Sequence, residues 1–136
     1  MNLRNIWRGV FALLVCLVTW LTLTPDPDET KTGLAIARLI AQLLFHDAAL
    51  GDKVAHFLAY AALGASAALG DLRIVGRRAP TVAALAAYGV FLEFMQGVGG
   101  VRVSDPADAL ANASGALTGC AGAFLMDRLM VRMRPA

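Results

Sequence analysis

Four long apolar runs constrain this chain more than any other feature of its sequence. They cover approximately residues 9–24, 54–69, 80–96 and 107–126. A helix needs about 20 mostly apolar residues to cross a hydrocarbon core of ~30 Å, and each run approaches that length when its flanking residues are counted. We therefore predict an all-α membrane protein that folds as a four-helix transmembrane bundle.

The composition supports a membrane location and argues against nucleic-acid binding. Hydrophobic residues make up 58% of the 136 residues, charged residues 16%, and the mean hydropathy is +0.63, which is unusual for a soluble domain. The net charge of +2 does not indicate a nucleic-acid partner, because the arginines flank apolar runs and form no basic stripe with aromatic residues. No repeat, Pro-rich linker or low-complexity tail divides the chain, so a single domain over residues 1–136 is expected.

The first apolar run has the features of either a signal peptide or a first span. Arg4 and Arg8 precede it, as they would in both cases. Its exit, residues 21–24 followed by Pro25, lacks the small residues of a cleavage site. We therefore expect an uncleaved transmembrane helix.

A shorter amphipathic segment lies between the first two runs. Residues 34–45 place leucine and isoleucine side chains at helical spacing, with Arg38 and Gln42 one turn apart. Twelve residues are too few to span a bilayer, so a helix lying at the membrane interface is one interpretation. An amphipathic segment packed on the other helices is the alternative.

The distribution of Lys and Arg predicts the orientation of the spans. Eight of the twelve lie before the first run, between the second and third, or after the fourth: Arg4, Arg8, Arg73, Arg77, Arg78, Arg128, Arg132 and Arg134. Positive residues concentrate in cytoplasmic segments, so both termini are predicted to be cytoplasmic. The second span then begins, the third ends and the fourth begins on the extracytoplasmic side.

Polar residues that interrupt the apolar runs all fall on that extracytoplasmic side. Their helical spacings, i to i+3 or i+4, put each set on one face of its helix. The three sets are Asp52, His56 and Tyr60; Glu93 and Gln96; and Asp105, Asp108 and Asn112, with the cationic Lys53 and Arg102 nearby in the sequence. Ionisable groups near the hydrocarbon core are costly and normally face a protein interior or a water-filled cavity, so one shared polar pocket is predicted.

Some of these residues also have a purely structural interpretation. Asp105 before Pro106 is an ordinary helix N-cap, and Asp52 after Gly51 can cap the second span likewise. Three pairs of small residues four apart are expected to let helices approach closely. These pairs are Gly64 and Ala68, Ala83 and Ala87, and Gly115 and Gly119.

The combined pattern resembles the VanZ-like family of bacterial integral membrane proteins. It reads Asp52-Lys53-x-x-His56-Phe57-x-x-Tyr60-x-x-x-Gly64, then Glu93-x-x-Gln96, then Arg102-x-Ser104-x-x-Asp108-x-x-x-Asn112-x-x-Gly115-x-x-x-Gly119. One departure is Val101, where the family pattern leads us to expect glycine. The resemblance implies a cell-envelope protein of the bacterial cytoplasmic membrane. The family's founding association is low-level resistance to the glycopeptide teicoplanin.

Three functions are compatible with these residues. A binding protein would grip a lipid head group or a lipid-linked glycan precursor through Asp52, Lys53, Tyr60, Gln96, Arg102, Asp105 and Asn112. A membrane enzyme would use His56, Glu93 and Asp108 on a lipid-linked phosphate or sugar. A structural helper would support another envelope enzyme.

The sequence requires no cofactor, although the oxygen-rich set of side chains suits a divalent cation. Membrane lipids are the expected partners. The sequence is compatible both with a homodimer and with a complex with another membrane enzyme.

Overall fold

The fold is entirely helical in the part of the chain that the structure describes. This computed structural model describes residues 2–24, 27–100 and 105–132, without the side chains of residues 27–33 and 131–132. Within these ranges there is no β-strand, which confirms the all-α class. In chain order the helices are α1 (Leu3–Leu23), α2 (Pro27–Phe45), a short 3₁₀ helix η1 (Ala48–Leu50), α3 (Gly51–Leu69), α4 (Ala79–Val98) and α5 (Pro106–Arg132).

Three of the described helices are long and apolar enough to cross a membrane, rather than the four we predicted. They are α1, α4 and the Pro106–Met130 part of α5. The predicted second span corresponds to α3, which has 19 residues but carries Asp52 and Lys53 in its first turn and is rich in alanine and glycine. It is also the most enclosed helix, so its composition suits helix contacts more than lipid contact. A fourth span through α3 stays a prediction.

Helices α3 and α5 pack with their backbones almost in contact, and glycine makes this possible. A Cβ atom added at Gly115 would lie 2.2 Å from the carbonyl oxygen of Phe57, and one at Gly119 would lie 1.9 Å from that of Ala61. In the opposite direction, a Cβ at Gly64 would lie 2.1 Å from the Ala116 oxygen. Only glycine permits such an approach. The small-residue prediction is confirmed for Gly64, Gly115 and Gly119.

The remaining small-residue prediction is wrong. Ala83 and Ala87 are both exposed on α4, so neither lies in a helix contact among the described residues. The close approach of α4 to α5 instead occurs at Gly89, where an added Cβ would lie 2.8 Å from the Cβ of Asn112. In the sequence, Gly89 lies one helical turn before Glu93, and this spacing could have indicated where α4 approaches α5. The contact holds α4 against the polar part of α5.

Helices α1 and α4 flank this central pair. The main core joins the apolar face of α3, including Tyr60 and Leu63, to Val18 of α1 and to Leu85 and Leu92 of α4. The hydroxyls of Thr19 on α1 and Tyr88 on α4 form a short hydrogen bond. All four helices therefore form one bundle around α3.

Helix α2 is longer than the predicted amphipathic segment, and one of its faces packs on another helix, as the second interpretation of that segment expects. Ala37 and Ala41 pack against Val54 at the start of α3. The opposite face leaves large apolar side chains exposed, with Leu39 at 60% and Leu43 at 69%. An exposed apolar face of this kind is compatible with a helix at the membrane interface, and that location stays a prediction.

The arginine-rich segments meet at one end of the bundle. Arg8 of α1 donates a hydrogen bond through Nε to the Gly70 carbonyl oxygen at 2.9 Å. Arg78, at the end of the loop between α3 and α4, and Arg128 of α5 both lie over the ring of Phe124. The start of α1, this loop and the last turns of α5 therefore share one end, as the charge distribution predicts. That this end is cytoplasmic stays a prediction.

Candidate functional site

A polar cluster lies at the opposite end of the bundle, where α3, α4 and α5 converge. Its contacting side chains are Lys53 and His56 of α3, Glu93 of α4, and Asp105, Asp108 and Asn112 at the start of α5. These residues are up to 59 positions apart in sequence, and the structure brings them together as predicted.

The start of α5 is built by Asp105 and Asp108, with Lys53 between their carboxylates. The Asp105 side chain accepts a hydrogen bond from the backbone N–H of Ala107 at 2.9 Å, so the predicted N-cap role is confirmed. The Lys53 amine donates to Asp105 Oδ2 at 2.6 Å and to Asp108 Oδ1 at 3.1 Å. Lys53 thus ties α3 to the first turn of α5.

Asp52 does not cap α3, contrary to one of our predictions. The N-cap position is Leu50, which has no side-chain capping bond, and Asp52 lies inside the first turn. The reason is that the preceding 3₁₀ helix runs directly into α3, so the helical backbone already begins at Gly51. A carboxylate in the first turn still interacts favourably with the helix dipole, and a carboxylate oxygen of Asp52 lies within 4.8 Å of ligand atoms of His56 and Asp108.

His56 is the centre of the cluster, with oxygen atoms near both of its ring nitrogens. Its Nδ1 lies 3.1 Å from Asn112 Oδ1 and 3.5 Å from Glu93 Oε1. Its Nε2 lies 3.9 Å from Asp108 Oδ2. A proton on Nδ1 makes the Asn112 oxygen its acceptor. The imidazole then links α3, α4 and α5 through a single side chain.

Burial distinguishes this cluster from ordinary surface charge. Glu93 and Asp108 are each 3% exposed and Asn112 is 1% exposed. The His56 side chain is 14% exposed and that of Lys53 is 33% exposed, so the cluster opens outward on the Lys53 side. Burying a carboxylate is costly unless polar partners surround it. Two buried carboxylates in one small cluster are more than helix capping explains.

Tyr60 and Gln96 lie beside the cluster rather than in it. Tyr60 is 2% exposed and belongs to the main core, and its hydroxyl has no hydrogen-bond partner among the described residues. Gln96 donates through Nε2 to the Thr22 carbonyl oxygen of α1 at 2.7 Å. Gln96 therefore joins α4 to α1, a contact that its spacing from Glu93 did not reveal. Arg102, the remaining predicted site residue, lies outside the described residues.

Asp52 and two side chains of the cluster, His56 and Asp108, can together supply ligands to one metal ion. Ligand atoms of Asp52, His56 and Asp108 all lie within 4.8 Å of one another. Two carboxylates and one imidazole suit a hard or borderline divalent cation. The Lys53 amine already contacts Asp108 Oδ1, so a metal ion would share that carboxylate with a positive charge. The residues fit a cation without requiring one.

Charge balance is the main electrostatic property of the cluster. Four carboxyl groups, those of Asp52, Glu93, Asp105 and Asp108, face one amine and one imidazole. Carboxylates only accept hydrogen bonds when ionised. Among the described residues, the cluster therefore holds more acidic than basic side chains.

The sequence comparisons agree with this architecture. The family model described as VanZ/LLP1 matches residues 11–127, which is most of the chain and includes every residue of the cluster. No curated protein and no solved structure gave a match. Together with the membrane-length helices, the family match shows that this chain is a membrane protein of the VanZ/LLP1 family.

Proposed function

We propose that this protein binds the head group of a cell-envelope lipid, or of a lipid-linked glycan precursor, in the polar cluster at the predicted extracytoplasmic end of the bundle. The observation that carries the proposal is the convergence of half-buried His56 with buried Glu93, Asp108 and Asn112 from three helices. Holding these groups together in a largely apolar bundle costs stability, and such intramembrane polar groups normally serve a function.

The arrangement supports binding through hydrogen bonds. Asn112, Glu93 and Asp108 offer acceptor oxygens in a poorly solvated site, where each bond to a ligand hydroxyl is stronger than in water. Lys53 lies at the exposed edge of the cluster, where its one remaining N–H can contact a head group. A protein that holds envelope lipids in this way would alter access of a glycopeptide such as teicoplanin to the cell surface.

A membrane enzyme is the second candidate, and the position of His56 favours it. Oxygen atoms near both ring nitrogens allow the imidazole to take a proton on one side while Asn112 and Glu93 orient the other. The substrate would again be a lipid-linked phosphate or sugar. Conversion of the lipid by purified protein, detected by mass spectrometry, would separate this candidate from binding without turnover.

Complementation with cluster variants tests the proposed function. In a host that lacks the protein, Glu93→Gln and Asp108→Asn should lose teicoplanin tolerance and retention of envelope lipids while accumulating normally. His56→Ala should weaken both modestly under binding and abolish activity under catalysis. Asp127→Asn is the matched control, because Asp127 is exposed on α5 far along the helix from Asp108.

Membrane abundance decides how these results are interpreted. Normal abundance with lost activity supports a functional cluster. Full activity in both carboxylate variants, or losses that follow abundance alone, would show that the cluster only stabilises the bundle.

A further inference from the structure

Three side chains at the polar end of the bundle are arranged as the ligands of one ion would be. Asp52 and His56 are four residues apart on α3, and Asp108 lies in the first turn of α5. One ligand atom from each residue lies within 4.8 Å of the other two. Two ligands four residues apart on a helix face can bind the same ion. The fold therefore brings three potential ligands from two helices to one point.

The imidazole of His56 is oriented as a metal-binding histidine usually is. Its Nδ1 lies 3.1 Å from Asn112 Oδ1 and 3.5 Å from Glu93 Oε1, and oxygen atoms on this side favour a proton on Nδ1. The lone pair is then on Nε2, which faces Asp108 Oδ2 at 3.9 Å. Histidines that bind a metal normally donate their other ring N–H to a carbonyl or carboxylate oxygen. These contacts therefore make Nε2 the ligand atom.

The separation of His56 Nε2 and Asp108 Oδ2 suits an ion between the two atoms better than a direct bond. At 3.9 Å they are too far apart for a hydrogen bond. Two ligands that each lie ~2.1 Å from one ion are roughly 3.0–4.2 Å from each other, depending on the angle at the ion. Asp108 is 3% exposed, and its other oxygen, Oδ1, accepts the hydrogen bond from Lys53. The buried carboxylate can therefore bind Lys53 through one oxygen and an ion through the other.

Helix packing beside the site holds two of the three ligands in place. An added Cβ at Gly115 would clash with the carbonyl oxygen of Phe57, the residue after His56, so the backbones of α3 and α5 are in close contact here. Asp52 is only half-buried, and rotation of its side chain supplies the roughly 1 Å of closing that the widest ligand pair requires. A carboxylate has two oxygen atoms, so Asp52 can bind an ion and keep another contact.

We propose that Asp52, His56 and Asp108 bind one divalent transition-metal ion, for which Zn²⁺ is the probe. The imidazole nitrogen favours such an ion over Mg²⁺ and Ca²⁺, which prefer oxygen ligands. Three protein ligands leave a coordination position open, as in catalytic zinc sites, and that position is available to an oxygen atom of a bound molecule. This ion site goes beyond the proposed function and does not depend on it.

Zinc binding by the purified full chain tests the ion site. The protein is prepared in detergent micelles without a histidine tag, stripped of metal with a chelator, and titrated with Zn²⁺ in competition with a chromophoric zinc indicator. One Zn²⁺ ion should bind per chain, and an excess of Mg²⁺ should not displace it. Circular dichroism of each variant checks that its helical content is retained.

Matched variants separate ligation from adventitious binding. His56→Ala and Asp108→Asn should each lower the affinity for Zn²⁺ by roughly 100-fold or more, since loss of a residue that merely supports a ligand already costs about 10–100-fold. Asp52→Asn should have the same effect, and its half-buried position keeps the test available where the other two variants do not fold. The controls His46→Ala and Asp127→Asn, which remove the other histidine and an exposed carboxylate of α5, should keep the wild-type affinity.

The outcomes separate the ion site from the proposed function. Absence of saturable Zn²⁺ binding, equal affinities of the wild type and His56→Ala, an equal loss in the two controls, or ready displacement by Mg²⁺ would overturn the ion site. Retention of envelope lipid by a chain that binds no Zn²⁺ would overturn the ion site alone. Zn²⁺ binding by a chain that retains no envelope lipid would uphold the ion site and count against the proposed function.

Discussion

Replacing Gly115 with alanine should force α3 and α5 apart at the level of the polar cluster. The added Cβ would lie 2.2 Å from the Phe57 carbonyl oxygen, whereas ordinary contact begins at 3.4 Å, so the helices must separate locally by about 1.2 Å. Neither atom lies on a flexible side chain that can move aside. The neighbouring hydrogen bond between His56 and Asn112, now 3.1 Å long, would exceed normal hydrogen-bond length.

The net effect on stability combines two opposing contributions. Overpacking a close contact costs about 1–3 kcal/mol. Alanine in place of glycine in a helix interior contributes about 0.5–1 kcal/mol in the other direction. Gly122→Ala is the matched control, because a Cβ at that position on the same helix meets nothing within 4 Å. Gly115→Ala should therefore be less stable than Gly122→Ala by about 1–3 kcal/mol.

Equilibrium unfolding in mixed detergent micelles measures this difference. The helical propensity gain is common to both variants, so their comparison isolates the helix contact. If Gly115→Ala proves as stable as Gly122→Ala, the close approach of α3 and α5 is not a feature of the folded protein. The placement of His56 beside Asn112 would then also be in question.

Three further predictions concern other parts of the bundle. Gln96→Leu should cost about 1 kcal/mol in unfolding free energy, because it removes the bond to the Thr22 oxygen; an unchanged value would show that this tie between α4 and α1 contributes nothing. Val75→Asn should stabilise the protein by about 0.5–1 kcal/mol, since Val75 is 89% exposed at a φ of 51° that asparagine tolerates better; a lower Tm would contradict this. Hydrogen bonds from Arg78 and Arg73 lower the pKa of Asp71. The ionised Asp71 therefore stabilises the folded protein at neutral pH, by under about 1 kcal/mol for a surface ion pair, and this stabilisation is lost as the pH falls below about 4. Asp71→Asn should flatten that part of the pH–stability curve, and an unchanged acid limb would rule out the pairing.

The all-α class and the location of the polar site were predictable because they depend on local patterns. Apolar runs of bilayer length predict membrane helices, and i, i+4 spacing puts Asp52, His56 and Tyr60 on one helix face. The resemblance carried by these residues also agrees with the family match over residues 11–127. Each of these inferences needs only the order of residues within about 20 positions.

Contacts between helices could not be predicted in the same way. Sequence spacing grouped Gln96 with Glu93, but the rotation of α4 directs its amide to α1. Ala83 and Ala87 have the same small-residue spacing as Gly115 and Gly119, yet only the glycines lie in a helix contact. Such distinctions depend on how each helix is rotated about its axis.

The sequence by itself determined an all-helical membrane protein with its polar residues at one end and most of its arginines in segments predicted to lie at the other. Those properties follow from the order of apolar and charged residues, which the sequence gives directly. Only the tertiary structure decided that His56 lies between Asn112, Glu93 and Asp108. The reason is physical: backbone approach at glycine sets the distance and rotation of α3, α4 and α5, and those two quantities decide which side chains meet.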